Sequence, residues 1–127
     1  GWRGTVSKIG EVTVEKMVTE FGCHREDIIA AIGPCICQNC YEVDTPVYDA
    51  FVKSGIDLNG VFKVGKDKDH FMLNLVTANK NILTSAGIKE ENIDLSDICT
   101  CCNADELHSH RATGGLRGNL AAIIELK

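Results

Sequence analysis

Apolar residues recur at helical spacing from Gly4 to Phe21, at Val6, Ile9, Val12, Met17 and Phe21, with Lys and Glu between them. That pattern predicts one amphipathic helix, with Thr5 or Ser7 able to cap its start and Gly22 its end. Ile28–Ile32 is a short apolar run of strand length, stopped by Gly33-Pro34. Asp44-Thr45-Pro46 opens a helix that runs to Ser54 and ends at Gly55, because Asp caps and Pro suits the first turn. Residues 61–64 and His70–Leu73 predict a hairpin across the polar link G-K-D-K-D. Residues 75–86 predict a further helix closed by Gly87, and Ile93–Leu95 a short strand. Residues 119–126 are apolar and predict a stronger strand.

Helices and strands mix here without strict β-α-β alternation. The expected class is α+β, or mixed α/β, with helices packed on a mixed sheet. The length of 127 residues fits one domain, 1–127, with no internal repeat, linker or low-complexity tract. A chain this long buries roughly two-thirds of its unfolded surface and needs no staples to fold. The longest apolar run is far too short to span a membrane, and no N-terminal signal pattern is present, so a cytoplasmic location is expected. The net charge is −5, and the 13 Lys and Arg are scattered. A duplex nucleic acid is therefore not an expected partner, whereas a small anion held by one or two arginines is.

Seven cysteines stand out. C-I-C-Q-N-C places Cys35, Cys37 and Cys40 together, and C-T-C-C places Cys99, Cys101 and Cys102 together. An odd count and an adjacent pair argue against a disulfide framework. Six thiols in two clusters could supply a tetrahedral zinc or an iron–sulfur cluster. Read as C-x-C-x-x-C and C-x-C-C, however, they miss the zinc-ribbon spacing, with only Cys37 and Cys40 taken as a C-x-x-C knuckle. The alternative is plain: cysteine serving as a small apolar residue.

L-H-S-H-R-A-T-G-G-L-R-G-N, residues 107–119, is the second suggestive stretch. His108 and His110 would share one face of a strand, which is a weak metal signal without a third ligand. Arg111 and Arg117 flank a Thr-Gly-Gly turn whose guanidinium forks and backbone N–H groups suit a phosphate. A solvated hairpin tip would carry the same residues.

Taken in order, Gly1-Trp2-Arg3-Gly4, Ile32-Gly33-Pro34, Cys40-Tyr41-Glu42-Val43, Cys99-Thr100, Ser109-His110-Arg111 and Arg117-Gly118 resemble the YfiH family. This is also the laccase-domain or polyphenol-oxidase-like family, whose domain is about twice this length, in keeping with ordinary domain sizes. The resemblance implies a zinc-dependent purine nucleoside phosphorylase acting on adenosine, inosine, guanosine and methylthioadenosine, with adenosine deaminase activity. It implies that this chain is the C-terminal half of the domain, cut just after the last metal ligand. The two histidines and one cysteine of the family's metal site would all lie before Gly1, so the chain alone is expected to be inactive. An older description of the family, copper-dependent oxidation of phenols, needs His-rich centres that four histidines do not supply.

The resemblance also assigns roles. Arg3, Arg111 and then Arg117 become the candidates for holding phosphate. For Arg3 an ion pair anchoring the first helix is the competing role. Gly33 and Pro34 would shape the backbone beside the site. Glu42 could assist proton transfer, though a surface carboxylate is the simpler reading. His108 replaces an aromatic residue of the family pattern, which favours packing. Cys40 and Cys99 fall within the pattern, and Cys35, Cys37, Cys101 and Cys102 where it is loose, which favours buried or loop thiols over a cysteine-bound metal. A cysteine-rich metal-binding module remains the alternative. The substrates would be purine nucleoside and phosphate, and half a domain would leave core surface exposed.

Overall fold

The computed structural model describes residues 1–125. It is a mixed α/β fold, as the pattern predicts. Nine regular elements occur among these residues: α1 (Trp2–Val6), α2 (Ile9–Phe21), β1 (Ala30–Ile32), β2 (Glu42–Asp44), α3 (Thr45–Ser54), β3 (Phe62–Val64), β4 (His70–Leu73), α4 (Leu75–Ser85) and β5 (Ile93–Leu95). They build two small sheets instead of one. β1 and β5 pair in parallel, and β2-β4-β3 form an antiparallel sheet with β4 in the centre.

The first helix is not continuous. Lys8 takes a left-handed conformation at φ 50°, and the chain turns between α1 and α2. Thr5, expected as a cap, is instead buried inside α1. Its hydroxyl donates to the Gly1 carbonyl at 3.2 Å and accepts from Asn79 Nδ2 of α4 at 3.2 Å. The break also changes the phase of the apolar stripe. Val14 is the buried residue of α2, with Met17 and Val18 packed beside it, while Ile9, Val12 and Phe21 are exposed. Gly10 lets α2 lie close on α4, since a Cβ there would stand 3.3 Å from the Leu83 side chain.

α3 forms as its sequence dictates. Asp44 caps it by accepting from the Val47 N–H at 3.4 Å, and Gly55 ends it in the left-handed region at φ 69°. The helix buries Phe51 against Phe62 and stacks Tyr48 on Phe71. The hairpin pairs Phe62 with Leu73 and Val64 with Phe71. β2 adds to the other edge of β4, pairing Val43 with Phe71. Two apolar clusters result. One holds Val43, Phe51, Val61 and Leu73, and the other Val14, Ile28, Ile88 and Ile93. α4 serves both, through Ala78 and Ile82 on one side and Leu83 on the other.

The strand expected over residues 119–126 does not form in its described part. Residues 119–125 have no regular structure, and Ile123 and Ile124 are 93% and 97% exposed. A strand needs a neighbouring edge to satisfy its backbone, and the sheets pair none with this segment. Leu126 lies outside the described residues.

Candidate functional site

The parallel pairing of β1 with β5 continues past both strands. Ser96 N–H donates to the Ile32 carbonyl at 2.9 Å, and Thr100 N–H to the Cys35 carbonyl at 3.2 Å. Cys35 and Cys99 thus stand opposite each other in a parallel bridge. This brings the loop after β1 and the turn after β5 side by side. The start of α1 and the 108–120 segment join them there. Together they wall an open cleft of about 890 Å³.

Arg3, Arg111 and Arg117 all line this cleft, with Pro34, Tyr41 and Glu42. The Arg3 guanidinium lies over the Trp2 ring, 4.7 Å from its centroid. Among the described residues no carboxylate pairs with it, so the anchoring ion pair weighed for Arg3 does not form. Arg111 Nη2 donates to the Glu42 carbonyl at 2.8 Å, and its guanidinium stands 5.4 Å from the Tyr41 ring centroid. Arg117 donates from Nη1 to the Gly118 carbonyl at 2.8 Å and to Asn119 Oδ1 at 2.6 Å. Tyr41 is half-buried, and that burial pushes its hydroxyl pKa up against the opposing pull of Arg111 and Arg3. Arg111 is the arginine that stands against the Tyr41 ring. Tyr41 lies in the C-Y-E-V motif, but an aromatic beside a cysteine carries no signal of its own in the sequence.

Glu42 is engaged elsewhere. Its carboxylate pairs with Lys66 Nζ at 3.3 Å and accepts from the Lys66 N–H at 3.1 Å. Its pKa is lowered: some burial acts upward, and the two Lys66 hydrogen bonds more than offset it. Gly33 does not line the cleft, and a Cβ there would meet nothing within 4 Å, whereas Pro34 does line it. His70 also reaches the cleft, held by Asp67 at 2.6 Å. Ser109 is buried and accepts from the Ala112 N–H at 3.3 Å, which fixes the turn that carries Arg111.

His108 and His110 lie in a loop and turn, not a strand, so they do not share the strand face expected of them. Both are exposed and line the cleft, and no third ligand gathers with them among the described residues. His108 packs against Gly118, where a Cβ would come within 2.6 Å of its ring.

The thiols form the clearest cluster. The sulfurs of Cys37, Cys40, Cys99 and Cys102 all lie within 4.8 Å of one another. Cys35 and Cys101 are not in this group. Reading C-T-C-C as C-x-C-C concealed that Cys99 and Cys102 are themselves a C-x-x-C pair, so two knuckles are present. The intervening Cys101 masks the pattern. All seven cysteines are free. At Cys99 burial opposes ionisation, but the Cys37 and Cys102 N–H groups donate to its sulfur at 3.2 and 3.4 Å and bring its pKa down to about 6. Cys40, hydrogen-bonded to Cys102 at 3.5 Å, is pushed well up. Such a set could bind a metal.

The fold and this cleft define a mixed α/β protein with an arginine-rich, thiol-flanked site. All of residues 1–127 match the family described as multi-copper polyphenol oxidoreductase laccase, and the chain belongs to that family. It is 35% identical over 124 residues to the purine nucleoside phosphorylase of Bacteroides thetaiotaomicron, covering 98% of this chain and 46% of that protein. It is 37% identical over 114 residues to adenosine deaminase RL5 from an unknown prokaryotic organism, covering 90% of this chain and 43% of that protein. The crystal structure of Bacillus licheniformis hypothetical protein YfiH superposes with a TM-score of 0.85 at 32% identity, over 91% of this chain and 43% of the other. The YfiH-type resemblance is thereby confirmed, and the chain spans less than half the length of these relatives. No helix among the described residues is long and apolar enough to cross a membrane.

Proposed function

We propose that this chain is the C-terminal part of a single-domain purine nucleoside phosphorylase that also deaminates adenosine. The observation that carries the reading is that Arg3, Arg111 and Tyr41 line one cleft, beside relatives named for these two activities. Phosphate would sit between the guanidinium groups, whose forks match its oxygens in pairs. Tyr41 would offer its hydroxyl as a neutral donor there, since burial keeps it protonated. Arg111 is braced by the Glu42 carbonyl, so little ordering remains for phosphate to impose. Arg117 would close the cleft from the 108–120 segment.

The zinc implied by the resemblance would be held by residues outside this chain. When bound, it would supply the activated water that deamination needs. The thiol cluster, closed by four protein sulfurs, does not fit that role, because a catalytic ion keeps an open position. The described histidines form no His-rich centre either, so copper-dependent phenol oxidation gains no support from them. A cytoplasmic location fits free thiols.

The test is a chimera in which this chain replaces the matched segment of the Bacteroides thetaiotaomicron enzyme. Hypoxanthine should appear from inosine only when phosphate is supplied, and Arg111→Gln should raise the phosphate KM. Cleavage that ignores phosphate would count against the reading. The chain alone should show no turnover.

A further inference from the structure

The thiol cluster stands beside the cleft and takes no part in the proposed reaction. Two turns build it. Gln38–Cys40 is a 3-10 turn in which the Cys40 N–H donates to the Cys37 carbonyl at 3.1 Å. Gln38 Nε2 pins that turn to the antiparallel sheet, donating to the Met72 carbonyl at 3.2 Å and the Val61 carbonyl at 3.4 Å. On the other side Asn103 donates to the Cys99 carbonyl from its N–H at 3.1 Å and from Nδ2 at 2.7 Å. Each turn therefore presents its pair of sulfurs on a braced backbone.

We propose that Cys37, Cys40, Cys99 and Cys102 are the four ligands of a mononuclear, tetrahedral zinc site that joins the two turns. In a tetrahedron with Zn–S of about 2.3 Å the sulfurs stand about 3.8 Å apart. The observed sulfurs, one pair at 3.5 Å and all within 4.8 Å, surround a space of that size. An iron–sulfur cluster needs its thiolates spread around several irons, which this spacing does not leave room for. A single ferrous ion fits the size but binds such sites more weakly than zinc. The two N–H donors on Cys99 supply the outer hydrogen bonds that thiolate ligands use.

Four protein ligands leave no open coordination position, so the role is structural. Cys40 directly precedes Tyr41, and Thr100 between Cys99 and Cys102 lines the cleft. The ion would thus clamp two of its walls. This inference does not depend on the phosphorylase reading.

The experiment is a zinc titration of the anaerobically purified, chelator-stripped 127-residue chain, with cobalt substitution and elemental analysis. One zinc per chain is expected. Cobalt should give intense sulfur-to-metal charge-transfer bands with the d–d bands of a tetrahedral four-thiolate site. Cys40→Ser and Cys102→Ser should weaken zinc binding at least tenfold, while Cys23→Ser and Cys101→Ser should not. Alkylation mapped by mass spectrometry should show Cys37, Cys40, Cys99 and Cys102 protected by zinc and released by chelator. The cobalt spectrum and this map use the unaltered chain, so they decide the matter even where a variant fails to fold. Failure to bind zinc, a multi-iron spectrum, a Cys40–Cys102 disulfide that persists in reductant, or full zinc retention by Cys40→Ser would each overturn the proposal.

Discussion

Thr5→Val keeps the shape of a buried side chain and deletes one hydroxyl. That hydroxyl joins the Gly1 carbonyl to Asn79 on α4, and so holds the five-residue α1 that carries Arg3. A helix this short does not persist on its own propensity. Neither partner is left bare by the substitution. Gly1 O still accepts from the Thr5 N–H at 3.2 Å, and Asn79 Nδ2 still donates to the Leu75 carbonyl at 2.8 Å. The loss is therefore that of two ordinary hydrogen bonds without an orphaned group, about 1–2 kcal/mol. Urea denaturation of Thr5→Val, Asn79→Ala and the double variant forms a closed cycle, and the shared bond should appear as a coupling of about 1 kcal/mol. Amide exchange localises the effect: the Ser7 and Lys8 N–H groups, bonded to the Arg3 and Thr5 carbonyls, should exchange up to about tenfold faster. Additive single effects, or α1 amides whose exchange is unchanged while the midpoint moves, would refute the claim that this hydroxyl secures α1.

Phe51→Ala should cost about 3–5 kcal/mol by urea denaturation, because Phe51 is wholly buried and meets Phe62 edge-on. Val52→Ala, on the exposed side of the same helix, should stay within about 0.5 kcal/mol. Gly65→Ala should also destabilise, by about 1–3 kcal/mol, since the new Cβ would fall 2.5 Å from the His70 carbonyl oxygen in the hairpin backbone; thermal melts would read it. The pKa of Asp67 is lowered, first by its hydrogen bond from His70 and then by the Asp69 N–H. A depressed carboxylate stabilises above its unfolded pKa and loses that contribution as pH falls through its folded one. Asp67→Asn should therefore narrow the gap from wild type as pH drops below about 4 in a pH series of denaturation curves.

Elements with local punctuation were legible from sequence. α3 announces itself by Asp44-Thr45-Pro46 and Gly55, and the hairpin by two apolar runs around a polar link. What failed depended on partners distant in sequence. The helix breaks at Lys8, and the short α1 before it is tied through Thr5 to Asn79, a residue 74 positions away. β2 is only Glu42–Asp44 and exists because β4 offers an edge to it. Residues 119–125 have the composition of a strand, but no strand of either sheet pairs with them. Arg3, Arg111 and Arg117, which residue type singles out as candidates, line one cleft. Tyr41 and His70 line the same cleft because the fold brings them there, which residue type alone does not signal. The second knuckle was in plain view, but an extra cysteine inside it spoiled the count.

Cys40 and Cys102 are 62 residues apart in the chain. During synthesis at about 5–20 residues per second, the first pair of thiols would wait about 3–12 seconds for the second pair to emerge. The parallel pairing that aligns the two turns is itself non-local, and slow to form for that reason. In that interval an open dithiol can be oxidised or take up the wrong ion, so the order of arrival sets when this chain is most vulnerable.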